Sequence, residues 1–259
     1  MTDQSIGIAT RRLRQPLRRA LATAGRLGAD GVQIDLRTEL PIAECSSTAL
    51  REIRKLLDDQ RVRLGSVVYP TRRGFGDEAD LDRRVAATMQ AMSIAAQLGA
   101  DALITTAAAG AADGGQLIES LTALGRHAEH VGVRLAMPVS PDGPEPTASL
   151  LANLPEATVG IDFHPAALLS QGISMEDALS KLGPKVVHVT AADAVHDLAD
   201  RRVIEVALGR GSVDWAALMA GLEAHGFRGW VTVDGGEGRD PVGETDNAIR
   251  YLRTLLRDL

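Results

Sequence analysis

The segment Thr158-Val159-Gly160-Ile161-Asp162-Phe163-His164 alternates with a period of two. Val159, Ile161 and Phe163 make one apolar side, while Gly160, Asp162 and His164 make the other. Successive side chains of a strand point to opposite faces, so this is a strand with one greasy and one polar side. Other short segments sort the same way. In 186–191, Val187 and Val189 oppose His188 and Thr190. In 230–234, Val231 and Val233 oppose Thr232 and Asp234. In 31–36, Val32, Ile34 and Leu36 oppose Gln33 and Asp35. In the strand over 133–139, Arg134, Ala136 and Pro138 fall on one side, continued by Ser140.

Helical patterns fill the gaps between these strands. The order reads strand 5–10, helix 15–27, strand 31–36, helix 47–60, strand 62–69, helix 80–98, strand 102–107 and helix 116–130. It continues with strand 133–139, helix 147–153, strand 158–164, helix 175–182, strand 186–191, helix 214–225, strand 230–234 and helix 244–257. Gly99, Gly132, Gly183 and Gly226 stand where helices stop. Regular alternation of strand and helix predicts a parallel sheet. Eight pairs in 259 residues predict a single α/β domain over 1–259, a closed (β/α)8 TIM barrel. The turn Ala9-Thr10-Arg11 carries no glycine fingerprint for a dinucleotide. Gly209-Arg210-Gly211 and Gly236-Glu237-Gly238 hold only two glycines of that pattern and read as plain loops.

Composition narrows the function. Hydrophobic residues make up 45% and charged residues 24%, which describes a globular chain. No apolar run approaches the ~18 residues of a membrane span. The net charge is −6, which argues against nucleic acid as a partner. Arg11-Arg12-Leu13-Arg14 and Arg72-Arg73 read as solvated entrances, with an anion grip at a site mouth as the alternative. Cys45 is the one cysteine, so neither an intramolecular disulfide nor a zinc ribbon is available. A lone thiol fits a cytoplasmic setting.

In a barrel the side away from the helices fills the interior, and at the C-terminal strand ends it lines the active mouth. The alternation therefore predicts a polar ring of Gln33, Asp162, His164, His188, Thr190 and Asp234, with Asp193 close behind. Burying these groups is costly unless they meet one another, water, a metal or a ligand. A mutually hydrogen-bonded polar plug is the alternative to a binding site.

Five stretches carry a family resemblance: 28–33, 132–136, 159–163, 208–215 (Leu208-Gly209-Arg210-Gly211-Ser212-Val213-Asp214-Trp215) and 226–233. In this order and spacing, over nearly the whole chain, they resemble the xylose isomerase-like barrels, the sugar phosphate isomerase/epimerase group. The resemblance implies carbohydrate metabolism and one divalent metal (Mn, Mg, Co or Zn). Its four ligands would be a glutamate after strand five, an aspartate after strand six, a histidine in strand seven and a glutamate at strand eight. This chain offers Pro138, His164, Thr190 and Asp234 at those places, and Gln33 where a glutamate usually ends strand two. Asp193 matches the aspartate that follows strand seven. The metal site is thus degenerate, with His164, Asp193 and Asp234 as the remaining ligand set.

The expectation is a divergent sugar or sugar phosphate isomerase/epimerase acting on a small sugar or keto-sugar by proton transfer next to a carbonyl. Asp234 and His164 are its expected catalytic groups. Gln33, Asp162, His188, Thr190 and Arg210 are its expected substrate contacts, with Arg210 as a phosphate or carboxylate grip. His188 is a further ligand option in a rebuilt metal site, and metal-free chemistry is the alternative. A second reading is an inactive barrel that binds a sugar-like ligand or a protein partner. Homo-oligomers are common among such barrels. An abasic-site nuclease is disfavoured, because the six histidines are not placed for a multi-zinc cluster. A serine hydrolase is disfavoured too, since no Gly-x-Ser-x-Gly elbow is present and neither Ser66 nor Ser140 has a histidine in motif.

Overall fold

The computed structural model describes residues 4–105, 114–155, 159–197, 202–234 and 238–257. Its strands are β1 (Ser5–Ala9), β2 (Gly31–Asp35), β3 (Arg63–Val68), β4 (Ala102–Ile104), β5 (Arg134–Pro138), β6 (Val159–Phe163), β7 (Val186–Ala191), β8 (Asp193–Asp197), β9 (Arg202–Val206) and β10 (Trp230–Val233). Its helices are α1 (Leu17–Arg26), α2 (Ser47–Gln60), α3 (Leu81–Leu98), α4 (Gly114–Val131), α5 (Pro144–Ala152), α6 (Pro165–Ser170), α7 (Met175–Leu182), α8 (Trp215–Ala224) and α9 (Pro241–Arg257). Eight parallel strands close in the order β1-β10-β7-β6-β5-β4-β3-β2. This is the (β/α)8 barrel that the period-two strands predict. No described helix is long and apolar enough to cross a membrane.

The helix-facing sides of the strands supply the main core, among them Ile8, Ile34, Val67, Leu103, Leu135, Ile161, Val189 and Val231. The inward sides stack in levels. Trp230, Gly31 and Gly65 form the floor. A Cβ on Gly31 or Gly65 would collide with the Trp230 indole, so these glycines make room for it. Trp230 Nε1 donates to Asp101 at 2.6 Å, and the Arg63 guanidinium lies 4.7 Å from the ring centroid. Thr232, His188, Asp162 and Gln33 form the middle level, and Asp234, Thr190 and His164 stand at the mouth.

The structure departs from the sequence reading in four places. Val187 does not share a face with Val189. The register of β6 on β7 steps from Ile161↔Val186 to Asp162↔His188, which leaves Val187 as the extra residue of a bulge. It turns inward against Val68, Ala102, Ile104 and Ala136. A two-stranded antiparallel ribbon, β8–β9, occupies the stretch after β7 that was read as loop. The short helix α6 follows His164 directly, and α5 starts at Pro144 rather than Thr147. Of strand 102–107, Thr106 and Ala107 lie outside the described residues, as does Thr158 of strand 158–164.

Candidate functional site

The strand ends open into a cavity of about 380 Å³. Val68, Ile104, Pro138, Val139 and Pro141 make its apolar wall, and Arg11, Gln33, Asp162, His164, Thr190 and Asp234 bring the polar atoms. The levels beneath explain which of those atoms are committed elsewhere.

His188 is fully buried and bonded on both nitrogens. Nδ1 lies 2.8 Å from Asp162 Oδ1, and Nε2 lies 2.8 Å from Thr232 Oγ1. A carboxylate only accepts, so Nδ1 carries a proton, and in the neutral imidazole the Thr232 hydroxyl donates to Nε2. Thr190 Oγ1 lies 2.9 Å from both Asp162 oxygens and donates to that carboxylate. Gln33 Nε2 donates to Ser66 Oγ at 2.9 Å, and Ser66 Oγ sits 3.3 Å from His188 Nε2. Four of the ring residues thus satisfy one another through Ser66 and Thr232, which the sequence reading named but did not place in the ring. Ser66, His188 and Asp162 have the order of a nucleophilic triad. However, Ser66 is fully buried and does not line the cavity, so a substrate has no path to it.

Asp234 ends β10 inside a clamp. Arg11 Nη2 donates to Oδ2, and Arg12 Nε donates to Oδ1 at 2.5 Å. Both arginines come from a 3-10 turn over Thr10–Leu13, directly after β1. The turn is pinned by buried Leu13 and by Thr10, whose hydroxyl is 2.9 Å from the Gln33 carbonyl and 2.8 Å from Glu39 Oε2. Burial works against the charge on Arg11, but Asp234, with Asp35 and Glu39 nearby, outweighs it and holds the pKa above its ordinary value. Arg11 stays exposed, as the solvated-entrance reading has it, and both arginines also pair with Asp234 at the mouth.

Burial, aided by the neighbouring Asp35, raises the Glu39 carboxyl above its usual 4.5. A carboxyl raised on folding stabilises fully below its unfolded value and loses that contribution as pH rises through the folded one. Glu39→Gln removes the titration and keeps an acceptor for the Asp35 N–H. Thermal melts should show the variant gaining on the parent as pH climbs from about 4 to about 7. A difference that stays flat across that range would contradict the assignment.

His164 heads α6. Its Nδ1 accepts the Ala167 N–H at 3.0 Å, which places the ring proton on Nε2. The ring offers the cavity a donor. Asp193 does not join the mouth. It is fully buried, and its two oxygens accept four backbone N–H groups and the Trp215 indole N–H. Arg210 is exposed and is not part of the cavity lining.

The expected metal set therefore does not form. His164 spends one nitrogen on its helix, Asp193 is wrapped by its own loop, and Asp234 is neutralised by two guanidinium groups. Pro138 has no donor, and Thr190 gives its proton to Asp162. Among the described residues no three His, Cys, Asp or Glu side chains converge on one point. The side chains present do not fit a divalent cation.

A closed eight-strand parallel barrel with a polar mouth defines the class. The family model for xylose isomerase-like TIM barrels matches residues 21–255, and the chain belongs to that family. Among solved structures it is similar to a xylose isomerase domain protein from Planctomyces limnophilus, with 20% identity over 98% of this chain and 97% of that one, at a TM-score of 0.80. It is similar to a xylose isomerase-like TIM barrel protein from Mycobacterium smegmatis in complex with magnesium, with 18% identity over 92% and 87% of the two chains, at 0.76. It is also similar to D-psicose 3-epimerase with D-tagatose from Clostridium cellulolyticum H10, with 14% identity over 97% and 99%, at 0.80. At these identities the likeness establishes the fold. No curated protein matches the sequence.

Proposed function

We propose that the mouth cavity takes a small uncharged sugar or keto-sugar and moves a proton next to its carbonyl. One observation carries this reading: Asp162, His164 and Arg11 line the same cavity against an apolar wall. Among the described residues Asp162 Oδ2 receives only the shared Thr190 hydroxyl, so it keeps lone pairs for a ligand or a proton. His164 Nε2–H is a donor for a sugar oxygen. A phosphate is a poorer match. Arg210 stands outside the cavity, and the charge of Arg11 is already balanced by Asp234, Asp35 and Glu39. In this reading Asp162 replaces Asp234 as the proton acceptor, because both oxygens of Asp234 are held by arginines.

The second reading, a barrel that binds without turnover, is favoured by the same full engagement of His188 and Asp234. Incubation with D-fructose, D-tagatose and D-psicose in D2O separates the two by NMR. Turnover should place deuterium beside the carbonyl, and Asp162→Asn should slow it by about 100-fold or more. Saturable binding with no exchange would move the conclusion to a binding barrel. A protein that neither binds nor exchanges any of the three sugars would sink both.

A further inference from the structure

We propose that Arg11 is the group that grips the ligand's carbonyl oxygen, with Asp234 and Arg12 as the residues that aim it. The kind of ligand rests on the reading above, while the choice of residue rests on geometry that stands without it.

Arg11 lines the cavity and its side chain is 39% exposed. A guanidinium has five N–H donors. Among the described residues the hydrogen bonds of this one are limited to the Nη2 contact with Asp234 Oδ2. The remaining donors are unspent at the edge of an apolar wall, where hydrogen bonds to a charged donor are strongest.

Its aim is fixed at both ends. The backbone sits in the short turn pinned by Leu13 and Thr10. The tip is held by Asp234, which cannot swing away because Arg12 Nε holds its other oxygen. Arg12 is itself tethered at 3.4 Å to Glu205 of the β8–β9 ribbon. A preset donor of this kind costs no reorganisation when charge develops in front of it.

The surrounding charges select the ligand chemistry. Asp234, Asp35 and Glu39 keep Arg11 protonated and also offset its charge. A second full anion gains little there. A neutral carbonyl oxygen accepts the free N–H groups without bringing a charge. If the C–H bond beside that carbonyl breaks, its proton passes to Asp162. The C–H electron pair becomes the new C=C bond, and the C=O π pair moves onto the oxygen facing Arg11. Return of the proton to carbon restores the carbonyl. Arg11 thus supplies the electrophile with no co-reactant.

The test compares a ketose with a polyol of similar size. D-Fructose and D-glucitol are titrated calorimetrically into the parent, Arg11→Lys, Arg11→Met and Asp234→Asn, each checked by thermal melt. The parent should prefer D-fructose. Arg11→Met should lose about tenfold or more for D-fructose and less than about twofold for D-glucitol. Arg11→Lys should fall between. Asp234→Asn should erode the same preference although the guanidinium is intact, which a merely structural role would not do. An Arg11→Met protein that binds D-fructose like the parent overturns the proposal. If the parent takes up neither sugar, the keto-sugar reading fails, and hydroxyacetone, a small neutral ketone, then decides Arg11. Hydroxyacetone binding that disappears in Arg11→Met upholds Arg11 as the gripping group. Hydroxyacetone binding that is unchanged, or absent in the parent, overturns it.

Discussion

Replacing Asp193 with alanine should lower the unfolding free energy by about 3–5 kcal/mol, the cost of leaving buried charge-paired groups without their partner. The carboxylate is fully buried. Oδ1 accepts the N–H of Ala194 at 2.9 Å and of Val213 at 3.3 Å. Oδ2 accepts the N–H of Gly209 and of Gly211, both at 3.0 Å, and the Trp215 Nε1–H at 3.2 Å. Five donors, from Ala194 of β8, from Gly209, Gly211 and Val213 and from Trp215 of α8, share one anion. Removal of that anion leaves them facing a methyl group, in a place too tight for ready repair by water. Gly211 shows how tight it is, because a Cβ there would collide with the carboxylate. Asp193→Asn should recover only part of the loss, since the amide brings two donors against five. Urea unfolding at neutral pH measures the change. Limited proteolysis should find new cuts between 193 and 215 in both variants. A loss below about 1 kcal/mol would mean that the loop is held by its other contacts.

This residue also shows where the sequence stops being legible. Asp193 is visible three positions after Thr190, and the stretch 208–215 is recognisable as a family segment. Nothing in either stretch says that the second wraps the first, because the donors are backbone N–H groups and leave no mark on residue type. The glycines of Gly209-Arg210-Gly211 looked like an ordinary loop for the same reason. They serve a carboxylate of the chain itself rather than a phosphate.

The barrel was legible because its strands turn an apolar face to the helices and a polar face to the interior, and these alternate. That signal fails at a bulge. Val187 belongs by parity with Val189, yet one extra residue in β7 turns it into the interior. The ribbon β8–β9 was missed because a βα loop carries no amphipathic face for the pattern to report. The polar ring was legible as a set of residues, and its pairing was not. Ser66 and Thr232 complete the His188 network, but small hydroxyls on strands carry no signal of their own. Arg11 and Arg12 were visible as a basic run, and only the closure of β1 on β10 brings them to Asp234.

Trp230→Ala should cost about 3–5 kcal/mol as well, by a different route: it empties the floor of the barrel. Trp230, Thr232 and Asp234 share the inward side of β10, so one strand contributes to the floor, the middle and the mouth. The indole fills the space left by Gly31 and Gly65, lies beneath the Arg63 guanidinium, and donates to Asp101. An alanine leaves a void that those two glycines have no side chains to fill. It also removes the bond to Asp101, whose exposed carboxylate turns to water, and the cation–π contact of the exposed Arg63, worth about 0.5–1 kcal/mol. Trp230 pairs in register with His188 on the neighbouring strand, so the floor is expected to support the level above it. Loss of the indole should therefore loosen the His188–Asp162 bond as well as lower stability. Two readouts separate these effects. Urea unfolding reports the cavity cost. The His188 imidazole signals in NMR report the plug, and fast exchange of the Nδ1 proton is expected in Trp230→Ala and slow exchange in the parent. Trp230→Phe keeps the ring stack and loses the Asp101 bond, so it should retain most of the stability and the slow proton. A Trp230→Ala protein with both full stability and a slow Nδ1 proton would show that the floor does not carry the polar level above it.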